Sequence, residues 1–193
     1  MECRGWDVSG IDVSRSSTDE ARQRCKAATV YCGEPGDVDA PFAAESFDRM
    51  AMYDVLAHLA DPVETLRKVA GYLKPGGQLV ISSCNESWAL VPWMLRAFSL
   101  FPGRTADLRD EMYEGQHYCY FSTENVGRLL AEVGLELECV QPLQPLSTRY
   151  FIHQYSPRRR FALLAMVRLD RFLGSSRKML VLARKPGPPI PRT

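Results

Sequence analysis

The sequence predicts an α/β fold in which a mainly parallel sheet carries helices on both faces. The first observation is that strand-like and helix-like stretches alternate along most of the chain. The second is that residues 78–83, QLVISS, are mostly apolar, as in a strand that is covered on both sides. The third is that 46% of the 193 residues are hydrophobic, which suffices for the core of one domain. In such sheets ligands bind at the carboxyl ends of the strands, so the residues that follow each strand are the first site candidates.

The N-terminal third contains three predicted strands, at residues 8–13, 28–32 and 47–52. A polar and charged helix is predicted between the first two, at residues 18–27. Residues 33–46 are rich in Gly, Pro and acidic side chains, which predicts a loop before the third strand.

The clearest helix signals lie at residues 61–72. Asp61 is a predicted N-cap, Pro62 fits the first helical position, and Glu64 has the spacing of a capping box. Apolar residues share one face of this helix, at Val63, Leu66, Val69, Ala70 and Leu73. The segment LKPGG, 73–77, ends the helix and leads into the next strand.

A second capped helix and two strands follow. Ser122 is a predicted N-cap, and Gly134 ends the helix whose apolar stripe includes Val126 and Leu130. Residues 135–140 alternate apolar and acidic residues, which predicts a half-covered strand. Residues 177–185 predict a last strand, antiparallel to the previous one and at the edge of the sheet.

The composition narrows the function classes. The net charge is +1, so bulk electrostatics do not favour a nucleic-acid binder. The six cysteines show no C-x-x-C pair and no zinc-like spacing with histidine, so we expect reduced thiols, no metal and a cytoplasmic protein. The first residues are polar, without a signal peptide, and no apolar run approaches the about 20 residues needed to span a bilayer.

Three stretches together resemble the class I S-adenosylmethionine-dependent methyltransferases. They are SFDRMAMYDVLAHLADP (46–62), LRKVAGYLKPGGQLVISSCN (66–85) and HYCYFSTENVGRLLAEVGLEL (117–137). The resemblance covers about residues 5–186 and is closest to bacterial small-molecule enzymes that include quinone O-methyltransferase-like proteins. It implies a Rossmann-like sheet and S-adenosylmethionine as the cofactor.

The resemblance also implies contacts between the cofactor and three segments that follow strands. Asp12, at the end of GIDVS, would accept hydrogen bonds from both ribose hydroxyls, because a carboxylate has two oxygens; the alternative is a turn or N-cap acid. The stretch GDVDAPF, 36–42, resembles the loop beneath the adenine, where an acid takes the exocyclic amine. The implied contacts are Asp12, Val13, Glu34, Asp37, Val38, Met52, Tyr53 and Asp54.

Two of these implied contacts leave an alternative open. Asp37 and Val38 fit the adenine loop best, and Glu34 competes with Asp37. Asp54 is expected either to pair with the ammonium group of the cofactor or to cap the turn that follows it. Asp48, although it is the usual residue of the family, is expected to be structural.

Methyl transfer to oxygen is helped by a general base, and histidine is the usual choice. The candidates are His58, His117 and His153. His117 is the preferred base, because the family often has histidine at this position. His58 is the second candidate, with a packed helix residue as the alternative, since Ala57 stands where the family has an acid. His153 has no motif support.

Two segments are unusual in their surface chemistry. Residues 88–101 are apolar around most of a helix, which fits a lid, a membrane-facing patch or a helix that its neighbours bury. Residues 156–173 mix five arginines with apolar residues, which fits a peripheral contact with anionic lipid, an anionic substrate or a solvated surface helix.

No G-x-G-x-x-G motif occurs in the sequence. The resemblance places a first strand and a glycine-rich turn before Trp6, so the domain is expected to be N-terminally truncated, with open strand edges that invite homo-oligomers. The expected domain is 1–185, with substrate-side insertions at 84–121 and 141–176 and a Pro-rich tail at 186–193.

The resemblance implies transfer of a methyl group to a small-molecule or lipid-like acceptor, on oxygen. The alternatives are a non-catalytic methyltransferase-like protein or fragment that acts as a binding partner, and a nicotinamide-dependent oxidoreductase. The LKPGG context, 73–77, disfavours the oxidoreductase.

Overall fold

The computed structural model describes residues 5–37, 42–88, 91–101, 117–143, 164–165, 168–169 and 171–187. Strands and helices alternate, as the sequence predicts. The described elements are β1 (Ser9–Asp12), α1 (Arg15–Arg24), β2 (Thr29–Cys32), β3 (Phe47–Tyr53), a 3-10 helix (Leu56–His58), α2 (Pro62–Tyr72), β4 (Leu73–Cys84), α3 (Val91–Leu100), α4 (Thr123–Glu132), β5 (Glu136–Pro142) and β6 (Lys178–Arg184).

The strands form two separate sheets. A two-stranded sheet pairs β1 with β2 in parallel, and a four-stranded sheet has the order β3-β4-β6-β5. β3 and β4 are parallel, whereas β6 is antiparallel to both of its neighbours. The parallel pairings therefore belong to the N-terminal strands and the antiparallel pairings to the C-terminal ones.

The C-terminal strand is antiparallel, as predicted, but the prediction that it lies at the edge is wrong. β6 lies between β4 and β5. The reason is visible in its side chains, because Met179, Val181 and Ala183 are completely buried. β5 carries Glu136 and Glu138, and charged side chains suit an edge strand.

The predicted N-caps Asp61 and Ser122 are confirmed, whereas Glu64 does not complete a capping box, since its carboxylate pairs with Lys68 at 2.9 Å. The carboxylate of Asp61 accepts a hydrogen bond from the backbone N–H of Glu64 at 2.8 Å. Ser122 and Asn125 form a reciprocal capping box at the start of α4. α1 begins three residues earlier than predicted, because the hydroxyl of Ser14 accepts from the N–H of Ser17 and caps it.

β4 also begins earlier than predicted, at Leu73 instead of residue 78, so LKPGG is its first part and not only a turn. Gly77 is required there, since a Cβ would lie 2.8 Å from the carbonyl oxygen of Lys74. Gly76 has φ 80°, a left-handed conformation that favours glycine.

The hydrophobic core lies between the four-stranded sheet and the helices α2 and α4, which also contact each other. Fully buried members from these helices include Leu66, Val126 and Leu130, and members from the sheet include Leu79 and Ile81. Burying such a side chain contributes about 1.5–3 kcal/mol relative to leaving it exposed. The core thus holds the ends of β3 and β4 in a fixed arrangement.

Aromatic side chains connect the two sheets. The ring of Phe42 lies 5.3 Å from Tyr31 of β2, 5.3 Å from Phe47 of β3 and 5.7 Å from Tyr72 of α2, edge to face in each case. The guanidinium of Arg49 lies 5.5 Å from the ring centre of Trp6. These contacts place the two-stranded sheet beside the β3 side of the larger sheet.

Candidate functional site

Asp12 is the last residue of β1 and is exposed. Its Oδ1 accepts a hydrogen bond from the backbone N–H of Ser14 at 2.8 Å. Its Oδ2 accepts none from the residues that the structure describes. The side chain therefore stabilises the turn into α1 and still offers one carboxylate oxygen to a hydroxyl donor. Val13, the next residue, is exposed as well.

The loop after β2 contains the two candidate acids for the adenine. The carboxylate of Asp37 accepts from the N–H of Glu34 at 2.6 Å and so closes the loop. Gly33 is needed for this turn, because a Cβ there would lie 2.5 Å from that carboxylate oxygen. Glu34 is exposed, and its carboxylate accepts no hydrogen bond in the described part of the chain. Val38 lies outside the described residues.

Lys68 of α2 brings a positive charge to this loop. A Cβ on Gly36 would lie 2.5 Å from the Cδ of Lys68, so the loop and α2 are in close contact. A hydrogen bond with Glu64 raises the pKa of Lys68, and the charges of Glu34 and Asp37 add to that effect. The positive charge of Lys68 thus partly balances the negative charges of Glu34 and Asp37 in this loop.

The residues at the end of β3 occupy three different environments. The side chain of Met52 is buried in the core, so a ligand would meet this residue only through its backbone. Tyr53 is 60% exposed. Asp54 has φ 55°, a left-handed conformation that is uncommon for residues other than glycine. Strained backbone of this kind is concentrated at functional sites.

Asp54 is held by two side chains that the sequence analysis did not single out. Its Oδ2 accepts from the Nζ of Lys178 at 2.5 Å, and its Oδ1 accepts from the hydroxyl of Ser82 at 3.2 Å. The carboxylate thus contacts a lysine 124 residues later in the chain, a partner that was not predicted. Only the antiparallel register of β4 and β6 brings Lys178 to this position, and no local sequence signal shows it.

Two of the three candidate histidines lie next to each other. The rings of His58 and His117 are 4.6 Å apart, and the ring of Tyr120 is 5.6 Å from that of His117. The carbonyl of Ala57 accepts hydrogen bonds from the N–H groups of Tyr118 and Cys119, which fixes the His117 segment on the 3-10 helix after β3. The fold thus joins two histidines that are 59 positions apart; His153 lies outside the described residues.

A half-open pocket of about 200 Å³ lies further along the same edge of the four-stranded sheet. Asn85 and Ser87 follow β4, Thr123 begins α4, and Gln141 belongs to the end of β5. The hydroxyls of Ser87 and Thr123 are 3.2 Å apart. The pocket is therefore small and lined by both polar and apolar groups, and the two predicted insertions contribute part of its lining, including Asn85 and Gln141.

Other predicted features can be checked only within the described residues. The cysteines at positions 25, 32, 119 and 139 are free thiols there. The described residues include no cluster of His, Cys, Asp and Glu that could hold a metal ion. In the same part of the chain, none of the helices has both the length and the apolar character to cross a membrane.

Comparison with known proteins identifies the fold and the family. The family model described as "Methyltransferase domain" matches residues 1–140. The ubiquinone biosynthesis O-methyltransferase of Stutzerimonas stutzeri is 31% identical over 90 residues, which are 45% of this chain and 39% of that protein. Methyltransferase GfsG of Streptomyces halstedii is 28% identical over 144 residues, 69% of this chain and 46% of that protein. The matches thus span less than half the length of these relatives.

A solved S-adenosylmethionine-dependent methyltransferase from Mesorhizobium loti has the same fold. Its TM-score is 0.59 at 20% identity, over 93% of this chain and 80% of that one. The strand-end acids of this chain fit the cofactor of such enzymes, because Asp12 offers a carboxylate oxygen for a ribose hydroxyl and Glu34 offers one for an amine. The chain belongs to the class I S-adenosylmethionine-dependent methyltransferases, with S-adenosylmethionine as the cofactor.

Proposed function

We propose that this methyltransferase transfers a methyl group to an oxygen of a small-molecule or lipid-like acceptor, with His117 as the general base. The observation that carries the proposal is the close approach of His58 and His117, whose rings lie 4.6 Å apart directly after β3. A base of this kind serves an acceptor that must lose a proton as it is methylated. Hydroxyl acceptors have this requirement, whereas a tertiary amine does not.

When bound, S-adenosylmethionine supplies a methyl group on a positively charged sulfur, which leaves as a neutral thioether. His117 takes the proton of the acceptor hydroxyl while the oxygen forms its bond to the methyl carbon. The side chain is held for this purpose by the backbone bonds of the next two residues to Ala57, and by the flanking rings of His58 and Tyr120. Such positioning accounts for a large part of the rate in transfers of this type.

Asp12 and the loop after β2 are proposed to hold the nucleoside. The free oxygen of Asp12 accepts from a ribose hydroxyl, and the exposed carboxylate of Glu34 accepts from the adenine amine. Glu34 is preferred to Asp37 here, because Asp37 already closes its own loop. The reduced thiols of the described cysteines support a cytoplasmic setting, and the named relatives support a bacterial one.

Three observations support the choice of acceptor. Two of the relatives named above are an enzyme of ubiquinone biosynthesis and a methyltransferase of Streptomyces halstedii, and the first acts on oxygen by its name. The pocket near Asn85 and Gln141 has both polar and apolar walls. Exposed tyrosines at positions 53 and 118 flank the two histidines in sequence. We therefore propose phenols with an apolar substituent as the first acceptors to assay.

The base is tested with His117→Gln. The rate of methyl transfer to a phenolic acceptor is expected to fall by about 10²–10⁴-fold, because a positioned base contributes this much. Affinity for S-adenosylhomocysteine is expected to stay unchanged. His58→Gln is the matched variant, with a smaller loss of rate. A His117→Gln enzyme with the wild-type rate would exclude this role.

The nucleoside site is tested with Asp12→Asn. The affinity for S-adenosylhomocysteine, measured by calorimetry, is expected to fall about tenfold to a hundredfold, because hydrogen bonds to charged groups contribute about 1.5–3 kcal/mol. Asp7→Asn is the matched control, since Asp7 is an exposed acid just before β1. Equal affinities for the two variants would remove Asp12 from the site.

One observation favours a second candidate function, a non-catalytic methyltransferase-like binding partner. The carboxylate of Asp54, which is a candidate to bind the ammonium group of the cofactor, is already paired with Lys178. The two functions are separated by thermal unfolding with S-adenosylhomocysteine. A ligand at 100 times its Kd stabilises the folded state by about 2.7 kcal/mol, so an enzyme is expected to show a higher Tm. An unchanged Tm at saturating ligand would favour the partner.

A further inference from the structure

Exposed apolar side chains are concentrated in two segments of the described chain. One is α3 with Phe101, and the other comprises the described residues between 164 and 173. Together they contribute eight of the fourteen large hydrophobic residues that are exposed. Single exposed apolar residues are normal on a protein surface, but a concentration of this kind marks an interaction surface. The eight residues are Trp93, Leu95, Leu100, Phe101, Leu164, Leu169, Phe172 and Leu173.

All six residues of α3 whose side chains the structure describes are exposed, and they share one side of the helix. At 100° per residue, positions 92, 93, 95, 96, 99 and 100 fall within an arc of about 160°. This side carries Trp93, 74% exposed, and Leu100, 62% exposed. It also carries Arg96, and no acidic residue occurs anywhere in α3. A helix with an exposed tryptophan, leucines and an arginine on one side has the composition of a helix that lies in a lipid interface.

The second segment repeats this chemistry. Phe172 is 86% exposed, and Leu164, Leu169 and Leu173 are exposed near it in sequence. The described charges of the segment are Arg168 and Arg171, both exposed. Asp170 is the one acid that the sequence places in the two segments, against three arginines. Each segment is therefore positive as well as apolar, although the whole chain has a net charge of only +1.

Both segments join the sheet at the same place. β4 ends where β6 begins, because Cys84 pairs with Lys178 in the antiparallel register. The N–H of Asn85 donates to the carbonyl of Arg177 at 2.8 Å, and the guanidinium of Arg177 lies 5.8 Å from the ring centre of Trp88. The chain enters α3 and leaves the second segment through this fixed junction, which is next to Asp54 and Lys178 at the end of β3.

We propose that these two segments form a membrane-docking surface that binds an anionic lipid bilayer from one side, without crossing it. The apolar side chains enter the headgroup region, and Arg96, Arg168 and Arg171 bind the lipid phosphates. Charge complementarity selects this occupant, because a second copy of the chain would present the same three arginines and repel them. The inference does not depend on which atom the enzyme methylates.

The test is flotation of the full chain with vesicles of phosphatidylcholine alone and with an equal mixture of phosphatidylcholine and phosphatidylglycerol. Binding to the mixed vesicles is expected to exceed binding to neutral ones by at least about tenfold and to weaken as salt screens the charges. The double variant Trp93→Ser/Phe172→Ser is expected to lose binding to both. The double variant Arg168→Glu/Arg171→Glu is expected to lose the preference for the anionic lipid.

Leu137→Ser is the matched control, since Leu137 of β5 is 40% exposed but lies in neither segment. It is expected to bind vesicles as the wild type does. Each of three results would overturn the proposal: equal binding to neutral and anionic vesicles, an equal loss in the Leu137→Ser control, or self-association of the chain through the two segments with no lipid binding. Because all the changed side chains are exposed, a Tm measurement verifies that each variant is folded before flotation.

Discussion

The four-stranded sheet and the two-stranded sheet differ in what holds them together. All members of the core cluster, from Met52 to Ala183, belong to the four-stranded sheet, to the helices on it or to the short connections between them. In residues 5–37, by contrast, Thr18 is the one fully buried residue, and α1 is almost entirely polar. The candidate histidines are attached to the four-stranded sheet, whereas Asp12 and Glu34 belong to the two-stranded sheet and the loop after it.

The four-stranded sheet is therefore expected to contribute most of the stability, whereas the two-stranded sheet carries the residues proposed to bind the nucleoside. Local unfolding free energies are smallest where few apolar contacts are buried, and ligand-binding segments are commonly drawn from such regions. The two-stranded sheet has this character, so a cofactor that binds Asp12 stabilises the part of the chain with the least packing of its own. The four-stranded sheet, which contains the core, is expected to gain less from the ligand.

The largest effect is expected from a cavity in the core. Leu66→Ala is expected to lower the free energy of unfolding by about 2–5 kcal/mol, because Leu66 is completely buried between α2 and the sheet. Ile11→Ala in β1 is the matched variant, since Ile11 is only half-buried, and a loss below about 1 kcal/mol is expected in the main transition. Urea denaturation measures both values. Equal losses would show that the two sheets unfold as one body.

A smaller effect is expected from the helix caps. Ser122→Ala removes the capping box of α4 and is expected to cost about 1 kcal/mol of global stability. Ser14→Ala removes the side-chain N-cap of α1. Because α1 packs with the two-stranded sheet, where little is buried, Ser14→Ala is expected to speed amide exchange within α1 and to leave the global free energy of unfolding unchanged. Hydrogen exchange with urea titration distinguishes the two, and a global loss in Ser14→Ala would contradict the comparison.

The smallest effect concerns pH. Burial raises the pKa of Glu86, which follows β4, above its ordinary value of 4.5. The folded state therefore prefers the protonated acid, so the stability that Glu86 contributes is present at low pH and is lost as the pH rises through its pKa in the folded state. Glu86→Gln is expected to match the wild type in free energy of unfolding near pH 3 and to become slightly more stable than the wild type above pH 6. Urea unfolding of both proteins across this pH range measures the difference. A variant that tracks the wild type throughout would contradict this.

Much of the fold follows from local signals in the sequence. The caps Asp61 and Ser122, together with the apolar faces of α2 and α4, predicted both helices to within a residue of their bounds. The position of β6 inside the sheet was missed, because sequence order suggests neighbours but the burial of Met179 and Val181 decides the order. Patterns of local periodicity contain no information on which of two amphipathic strands takes the central place.

The candidate site was less predictable, because it depends on distant pairs. His58 and His117 were chosen separately, and their contact comes from the docking of one segment on the carbonyl of Ala57. The ion pair between Asp54 and Lys178 joins the end of β3 to the start of β6, which are 124 positions apart, and no local pattern in either stretch of sequence indicates it. The assignment of Asp12, Val13, Glu34, Asp37, Met52, Tyr53 and Asp54 to the cofactor remains a prediction.

The ring of Phe42 has a mechanical consequence. It is wedged against one aromatic ring from β2, one from β3 and one from α2, and it touches β3 at the end opposite to Asp54. A displacement of the two-stranded sheet is therefore transmitted to β3 through Phe42, together with the contact of Arg49 with Trp6. A nucleoside bound to the two-stranded sheet is in this way expected to influence the position of β3 and of Asp54 at its end.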